Sequence, residues 1–178
     1  MTTTTIRRAA TQKNMGKKAA YDLAFKLIDD AIKNSCPLQA ITVEESILTD
    51  RLSSTLNVGI DNGKPFKTLG SVLNAWHPNG NAPAHINASR FDSKMESLYP
   101  ALQAWRKERN ELMHGIAKSF QCEAPEILPA DFPGRALAAA MEGKRLVDEV
   151  KDWVGKQVRR AKRRERALIA AEKSAASK

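Results

Sequence analysis

Apolar residues recur at helical spacing along most of the chain and seldom alternate with polar residues, which predicts an all-α protein. Four apolar side chains between Tyr21 and Ile32 are spaced four, three and four residues apart. They predict a first helix over residues 17 to 34 with one buried face. Residues 1 to 16 lack this period and are rich in threonine and basic side chains, so we expect a flexible N-terminal tail.

Two capping boxes predict where later helices begin. In such a box, a hydroxyl and a carboxylate three residues apart satisfy free amides at a helix N-terminus. Thr42 and Glu45 predict the start of a second helix. Ser93 and Glu96 predict the start of a long helix that continues to about residue 119.

Turn-rich segments separate the remaining predicted helices. Loops are expected over residues 58–67 and 77–90, on either side of a short helix that Thr68 begins, and again over residues 121–134. Asp131 is placed to cap a last helix that starts near residue 135. The apolar face of that last helix is predicted to comprise Leu137, Met141, Val147, Val150 and Val154.

These elements together predict an up-and-down bundle of four longer helices plus a short one. At 178 residues the chain suits a single domain with extended ends. We expect a basic N-terminal tail at 1–16, a helical domain at 17–157, and a basic helical or disordered C-terminal tail at 158–178.

The net charge of +9 is concentrated at the two ends of the chain. Residues 1 to 20 contain five basic side chains and no acidic one, and residues 156 to 178 contain nine basic and two acidic side chains. The part between them is therefore slightly acidic. A partner of opposite charge, such as RNA, would be attracted mainly by the ends, through a long-range and salt-sensitive force.

Other features of the composition predict a cytoplasmic protein without a metal or cofactor. No stretch reaches the ~18 to 20 consecutive apolar residues that a membrane-spanning helix requires, so no membrane partner is expected. The first ten residues, MTTTTIRRAA, lack the apolar run of a secretory signal. Cys36 and Cys122 lie far apart without metal-ligand spacing, as expected of two reduced thiols.

Arg109 occupies a position where the helical pattern calls for an apolar side chain. On the long helix, residues 98, 102, 105, 109, 112 and 116 follow one seam, and all except Arg109 are apolar. A charge in such a row is rarely tolerated unless it is paired or used. Asn110 and His114 lie one turn apart on a neighbouring stripe, so one helix presents a guanidinium, an amide and an imidazole.

The hexapeptide Arg109-Asn110-Glu111-Leu112-Met113-His114 resembles the signature of the HEPN superfamily, an arginine followed by four to six residues and a histidine. Asn110 fills the polar place that often follows the arginine in this family. The helical organisation of residues 17 to 155 is also similar to that of the family, although the hexapeptide is the specific part of the resemblance.

The resemblance implies a metal-independent endoribonuclease that acts as a homodimer with the site at its interface. In that reading Arg109, Asn110 and His114 are catalytic, cleavage proceeds by attack of the ribose 2′-hydroxyl, and the setting is a toxin or phage defence. An antitoxin or a nucleotidyltransferase partner is a further implication. Some members carry a tyrosine two residues after the histidine, and here that position is Ile116.

Two alternatives remain open at this point. The first is a non-catalytic HEPN-like module that binds RNA or nucleotides. The second is a purely helical interaction protein whose dimer seam contains Arg109. A purely structural explanation of the motif is also open, in which Arg109 forms a buried ion pair with an acidic residue of the second helix, such as Glu45, and His114 is an ordinary surface residue. Supporting polar groups on the second helix are expected among Glu45, Asp50 and Arg51.

Six basic residues within eight positions of the C-terminal tail form a candidate RNA-binding arm. A solvated helix end, favoured by cations near a helix C-terminus, explains the same run equally well. No aromatic residue interrupts it, so base stacking is not expected. The residues are Arg159, Arg160, Lys162, Arg163, Arg164 and Arg166.

Overall fold

The computed structural model describes residues 3–56, 68–76, 92–119 and 129–176, and these ranges are helical with short connections and no strand. The predicted loops at 58–67 and 77–90, most of the loop at 121–134, and Cys122 lie outside the described residues. The predicted all-α class, with four long helices and one short one, is confirmed for the described ranges. The helices are α1 (Thr3–Lys33), α2 (Pro37–Leu56), α3 (Leu69–Trp76), α4 (Ser93–Ser119) and α5 (Phe132–Ala176).

Helix α1 begins at Thr3, well before the predicted start near residue 17, and includes most of the segment expected to be a flexible tail. Residues 7–13 are arginine, alanine, glutamine and lysine apart from Thr11, and the high helix propensity of these four residue types supports a helix without an apolar period. The helix ends in a tight turn in which Ser35 has a φ of 57° and the Cys36 amide donates to the Ala31 carbonyl over 2.8 Å.

Helix α2 begins at Pro37, so the predicted capping box of Thr42 and Glu45 is wrong. Proline is favoured in the first turn of a helix because it lacks the amide hydrogen that would be unsatisfied there. Thr42 lies inside the helix, where its hydroxyl donates to the Leu38 carbonyl over 2.8 Å. Glu45 is therefore available for a tertiary contact.

Helices α3 and α4 start where the sequence predicts, although the cap of α4 is a different residue. Thr68 caps α3 by accepting the Ser71 amide on its hydroxyl at 3.2 Å. Asp92, rather than the predicted Ser93, caps α4 by accepting the Met95 amide on its carboxylate at 3.2 Å. Pro100 lies within α4 without ending it.

Helix α5 begins at Phe132, directly after Asp131, whose carbonyl accepts the first helical bond from the Arg135 amide at 2.9 Å. In the first turns of α5, the buried face differs from the predicted one. Leu137 and Met141 are 40% and 60% exposed, whereas three nearby alanines are buried. Small side chains allow close approach of the helices, so this part of the core is built from alanine. The buried alanines are Ala136, Ala139 and Ala140.

The described chain forms two compact units. The first unit contains residues 1–47 and 104–144, and the second contains residues 48–103 and 145–178. These units do not test the predicted division of the chain at 16/17 and 157/158, which stays a prediction. No helix of the described ranges combines the length and the apolar character needed to cross a membrane.

Each unit has its own buried apolar residues. In the first unit they are Ile28, Ala31, Ala40, Ile41, Ile47, Trp105, Leu112, Ala136, Ala139 and Ala140. In the second unit they are Leu48, Leu52, Leu69, Val72, Leu73, Met95, Leu98, Leu102, Leu146, Val147, Val150, Trp153 and Val154.

Candidate functional site

Arg109 lies on the buried side of α4, as the seam of the sequence predicts. Within the first unit, Trp105 and Leu112 on the same face are 3% and 1% exposed. The Trp105 indole donates to the Ala139 carbonyl over 2.7 Å and so joins α4 to α5. The backbone that carries Arg109 is therefore fixed by packing on both sides of it.

The Arg109 guanidinium is held by two partners. It forms an ion pair with Glu45 of α2, and its Nη1 donates to the Asn110 side-chain oxygen over 2.8 Å. The Arg109 and Glu45 side chains are 24% and 19% exposed, which places the pair partly out of water. The Arg109 Nε is buried and has no hydrogen-bond partner among the described residues. This is the ion pair that the purely structural alternative expects, and it also fixes the direction of the guanidinium.

His114 lies one helical turn beyond Asn110 and its side chain is exposed. Four residues of α-helix separate their Cα atoms by about 6 Å along the axis. Within the described part of the chain, His114 makes no hydrogen bond to Arg109, Asn110 or Glu45. The structure thus brings Arg109, Asn110 and Glu45 into contact and leaves the imidazole open to solvent.

Of the three predicted supporting residues on α2, Glu45 alone reaches the site among the described contacts. Asp50 and Arg51 belong to the second unit, and each has an interaction of its own. The sequence analysis selected Glu45 by its location on α2 alone. Glu45 pairs with Arg109 because both charged side chains are partly buried, and an ion pair compensates for the loss of water.

Arg135, which the sequence analysis did not single out, links α5 to α4. Its Nε donates to a Glu108 oxygen over 2.8 Å, and its Nη2 donates to a Glu111 oxygen over 3.2 Å. The hydrogen bond and charge of Glu108 raise the pKa of Arg135 above its ordinary value. These contacts connect the acidic residues before and within the hexapeptide to the first turn of α5.

Glu44 is a second residue that the sequence analysis missed. Its side chain is completely buried, and neither carboxyl oxygen has a hydrogen-bond partner among the described residues. Burial raises the pKa of Glu44 to about 8, while the positive charge of Lys144 acts in the opposite direction. The carboxyl is therefore protonated at neutral pH.

The space for Glu44 exists because residue 143 is glycine. A Cβ built on Gly143 would overlap a carboxyl oxygen of Glu44 and lie 2.8 Å from the Trp105 indole nitrogen. A glycine inside a long helix, four residues after Ala139, is the one sequence signal for this close approach.

The basic tail is helical and forms the last turns of α5, within the second unit. The predicted arm residues are exposed, namely Arg159, Arg160, Lys162, Arg163, Arg164 and Arg166. Arg160 differs from the others because it pairs with Asp92 over 3.3 Å.

Asp92 also accepts the Trp153 indole and the Gln157 amide, each at 2.8 Å. Burial tends to raise the pKa of Asp92, but the hydrogen bonds from Trp153, the Met95 amide and Gln157, with the Arg160 charge, lower it overall. The carboxylate therefore anchors the base of the tail.

The described residues contain no group of three or more histidine, cysteine, aspartate or glutamate side chains that could hold a metal ion. Comparison of the chain with family models, with curated proteins and with solved structures gives no match.

Proposed function

We propose that this protein is a metal-independent endoribonuclease of the HEPN type, with Arg109, Asn110 and His114 as its catalytic residues. The observation that carries the proposal is the arrangement on α4. A half-buried arginine is oriented by Asn110 and Glu45, and an exposed imidazole follows one turn later. This combination supplies a fixed cation and an accessible proton-transfer group on one helix.

The reaction consists of attack by the ribose 2′-hydroxyl oxygen on the adjacent phosphorus and departure of the 5′-oxygen. The products are a 2′,3′-cyclic phosphate and a 5′-hydroxyl. A histidine can accept or return the proton at neutral pH, a role worth about 10²- to 10⁴-fold in rate. His114 fits this role because its side chain is open to solvent.

Arg109 stabilises negative charge on the phosphate in this mechanism. A guanidinium has five N–H donors, and the described contacts to Glu45 and Asn110 leave further donors on its two terminal nitrogens. Donors oriented before the reaction stabilise developing charge without reorganisation. In the proposed homodimer, α4 of a second copy faces the first, and the two copies share the site.

A second candidate function, a non-catalytic RNA-binding module, is favoured by one observation. Glu45 neutralises Arg109, and within the described residues His114 forms no hydrogen bond or ion pair with either of them. In this reading the exposed basic residues of α5 bind RNA phosphates, and the α4 cluster has a structural role. Deleting residues 159–178 should then remove most of the RNA affinity.

Incubation of the full chain with total RNA in EDTA separates these functions. Cleavage that persists in EDTA, is lost in His114→Ala and is retained in Lys26→Ala supports the nuclease. Lys26 is an exposed residue of α1 and serves as the control for replacing a surface side chain.

Unchanged cleavage by a folded His114→Ala variant would refute the assignment of His114. RNA binding without cleavage would favour the binding module. Absence of both would exclude both functions.

A further inference from the structure

Arg106 is a half-buried arginine on α4 whose Nε is buried without a hydrogen-bond partner among the described residues. Arg109 and Arg135, the neighbouring arginines of the first unit, both face carboxylates. No described carboxylate pairs with Arg106. An unsatisfied buried donor of a charged group costs about 1–3 kcal/mol or more, so such a group calls for a ligand or another specific explanation.

Arg106 belongs to the same stripe of α4 as the candidate site. Arg106, Asn110 and His114 are spaced four residues apart, so successive members are displaced by about 40° around the helix axis. All three side chains reach the surface at least in part. A guanidinium, an amide and an imidazole therefore follow one another along a single accessible ridge in the first unit.

The spacing along this ridge suits a strand better than a single nucleotide. The Cα atoms of Arg106 and His114 are about 12 Å apart along the helix axis. Helical side chains lean toward the helix N-terminus, so Arg106 extends away from His114 rather than toward it. A phosphate placed between Asn110 and His114 is thus beyond the reach of Arg106, whereas the next phosphate of the same strand is not.

We propose that Arg106 binds an RNA phosphate adjacent to the one at Asn110 and His114, so that the site selects a polynucleotide over a single nucleotide. This inference rests on the proposed RNA function and adds a specificity-determining residue to it. Arginine suits the role because its planar fork binds phosphate oxygens in pairs.

Binding of a labelled single-stranded RNA 12-mer tests this assignment in the full-length His114→Ala background, where cleavage does not interfere. Each phosphate contact to a single strand contributes about 0.7 to the slope of log affinity against log salt. Arg106→Gln should lower the magnitude of that slope by about 0.7 and weaken binding about tenfold or more at low salt. Lys26→Gln removes an equal charge from α1 and should leave the slope unchanged.

Arg106→Lys tests whether the weaker binding of Arg106→Gln results from lost packing rather than from the lost charge. This variant keeps the charge and should restore the salt slope, although affinity should recover only in part because the fork is lost. A slope for Arg106→Gln equal to that for Lys26→Gln would overturn the role of Arg106. Failure of Arg106→Lys to restore the slope would do the same.

Kinetics with His114 intact distinguish this inference from the proposed nuclease. With the 12-mer, Arg106→Gln should raise KM about tenfold and leave kcat within about twofold. With a dinucleotide, which has one phosphodiester, neither value should change. Equal losses on both substrates would place Arg106 at the reacting phosphate and refute the adjacent position. Cleavage that does not depend on His114 would refute the catalytic role of His114, while the binding experiment would still test the role of Arg106 independently.

Discussion

Replacement of Glu44 by glutamine should change how the stability of the protein depends on pH. Glu44 is completely buried against Gly143 and near Trp105, and burial raises its pKa to about 8 from the ordinary value of 4.5. Glutamine has nearly the same shape and does not titrate. The variant therefore removes the proton equilibrium with little change in volume.

The sign of the effect follows from proton binding in the two states. Between pH 4.5 and pH 8 the unfolded chain loses the Glu44 proton while the folded chain retains it, so the free energy of unfolding falls as pH rises. The fall is about 1.4 kcal/mol per pH unit, or about 3 kcal/mol between pH 4.5 and pH 7. Above pH 8 the contribution no longer changes, because the group is ionised in both states.

Urea unfolding followed by circular dichroism at several pH values between 4 and 9 measures this effect. The free energy of unfolding of Glu44→Gln minus that of the wild type should increase by about 1.4 kcal/mol per pH unit across the window. Gln39→Asn, at an exposed position of α2, replaces no ionisable group and should show a constant difference. Parallel pH profiles for Glu44→Gln and the wild type would show that the carboxyl is not buried as described.

Three further changes test other contacts. Gly143→Ala should lower the free energy of unfolding, measured with urea, by about 1–3 kcal/mol because the added methyl group overpacks the core. Gly16→Ala, where a Cβ meets open space, should instead raise it by up to about 1 kcal/mol. Asp92→Ala should lower the melting temperature at pH 7 by removing a helix cap worth about 1 kcal/mol. The difference from the wild type should shrink at acid pH, where the carboxylate is protonated, and an undiminished difference would contradict that role. A double-mutant cycle of Glu45→Gln and Arg109→Gln should give a coupling of about 0.5–3 kcal/mol in unfolding experiments, and additive effects would mean that the ion pair does not form in solution.

The sequence predicts α4 well because the apolar seam and the spacing of Arg109 indicate the same buried face. The apolar seam fixes which face of α4 is buried, and the structure buries Leu98, Leu102, Trp105 and Leu112 as expected. Helical spacing also places Arg109 on that face. The half-buried position of the arginine is therefore predictable without knowledge of its partner.

The contacts around Arg109 are less predictable because they depend on tertiary structure. Thr42 and Glu45 have the spacing of a helix cap, but Pro37 starts the helix earlier, and Glu45 instead pairs with a charge on another helix. A local pattern of three residues does not reveal which of these two uses of a carboxylate has the lower free energy.

The inward face of early α5 is mispredicted for a different reason. A hydrophobicity pattern favours large side chains as the buried ones, and so it selects Leu137 and Met141. The structure instead buries Ala139 and Ala140, and Trp105 of the neighbouring helix fills the space beside them by bonding to the Ala139 carbonyl. Close helix approach depends on side chains that a hydrophobicity pattern ranks low.

The contact between Glu44 and Gly143 restricts how these two positions can change together during evolution. Any side chain at position 143 would meet the carboxyl group first, because a Cβ there already overlaps it. A homologue with alanine or serine at 143 should therefore carry a shorter residue at 44, and a homologue that keeps glutamate at 44 should keep glycine at 143. Covariation of this pair, separated by about a hundred positions in the chain, would identify the packed helices from an alignment alone.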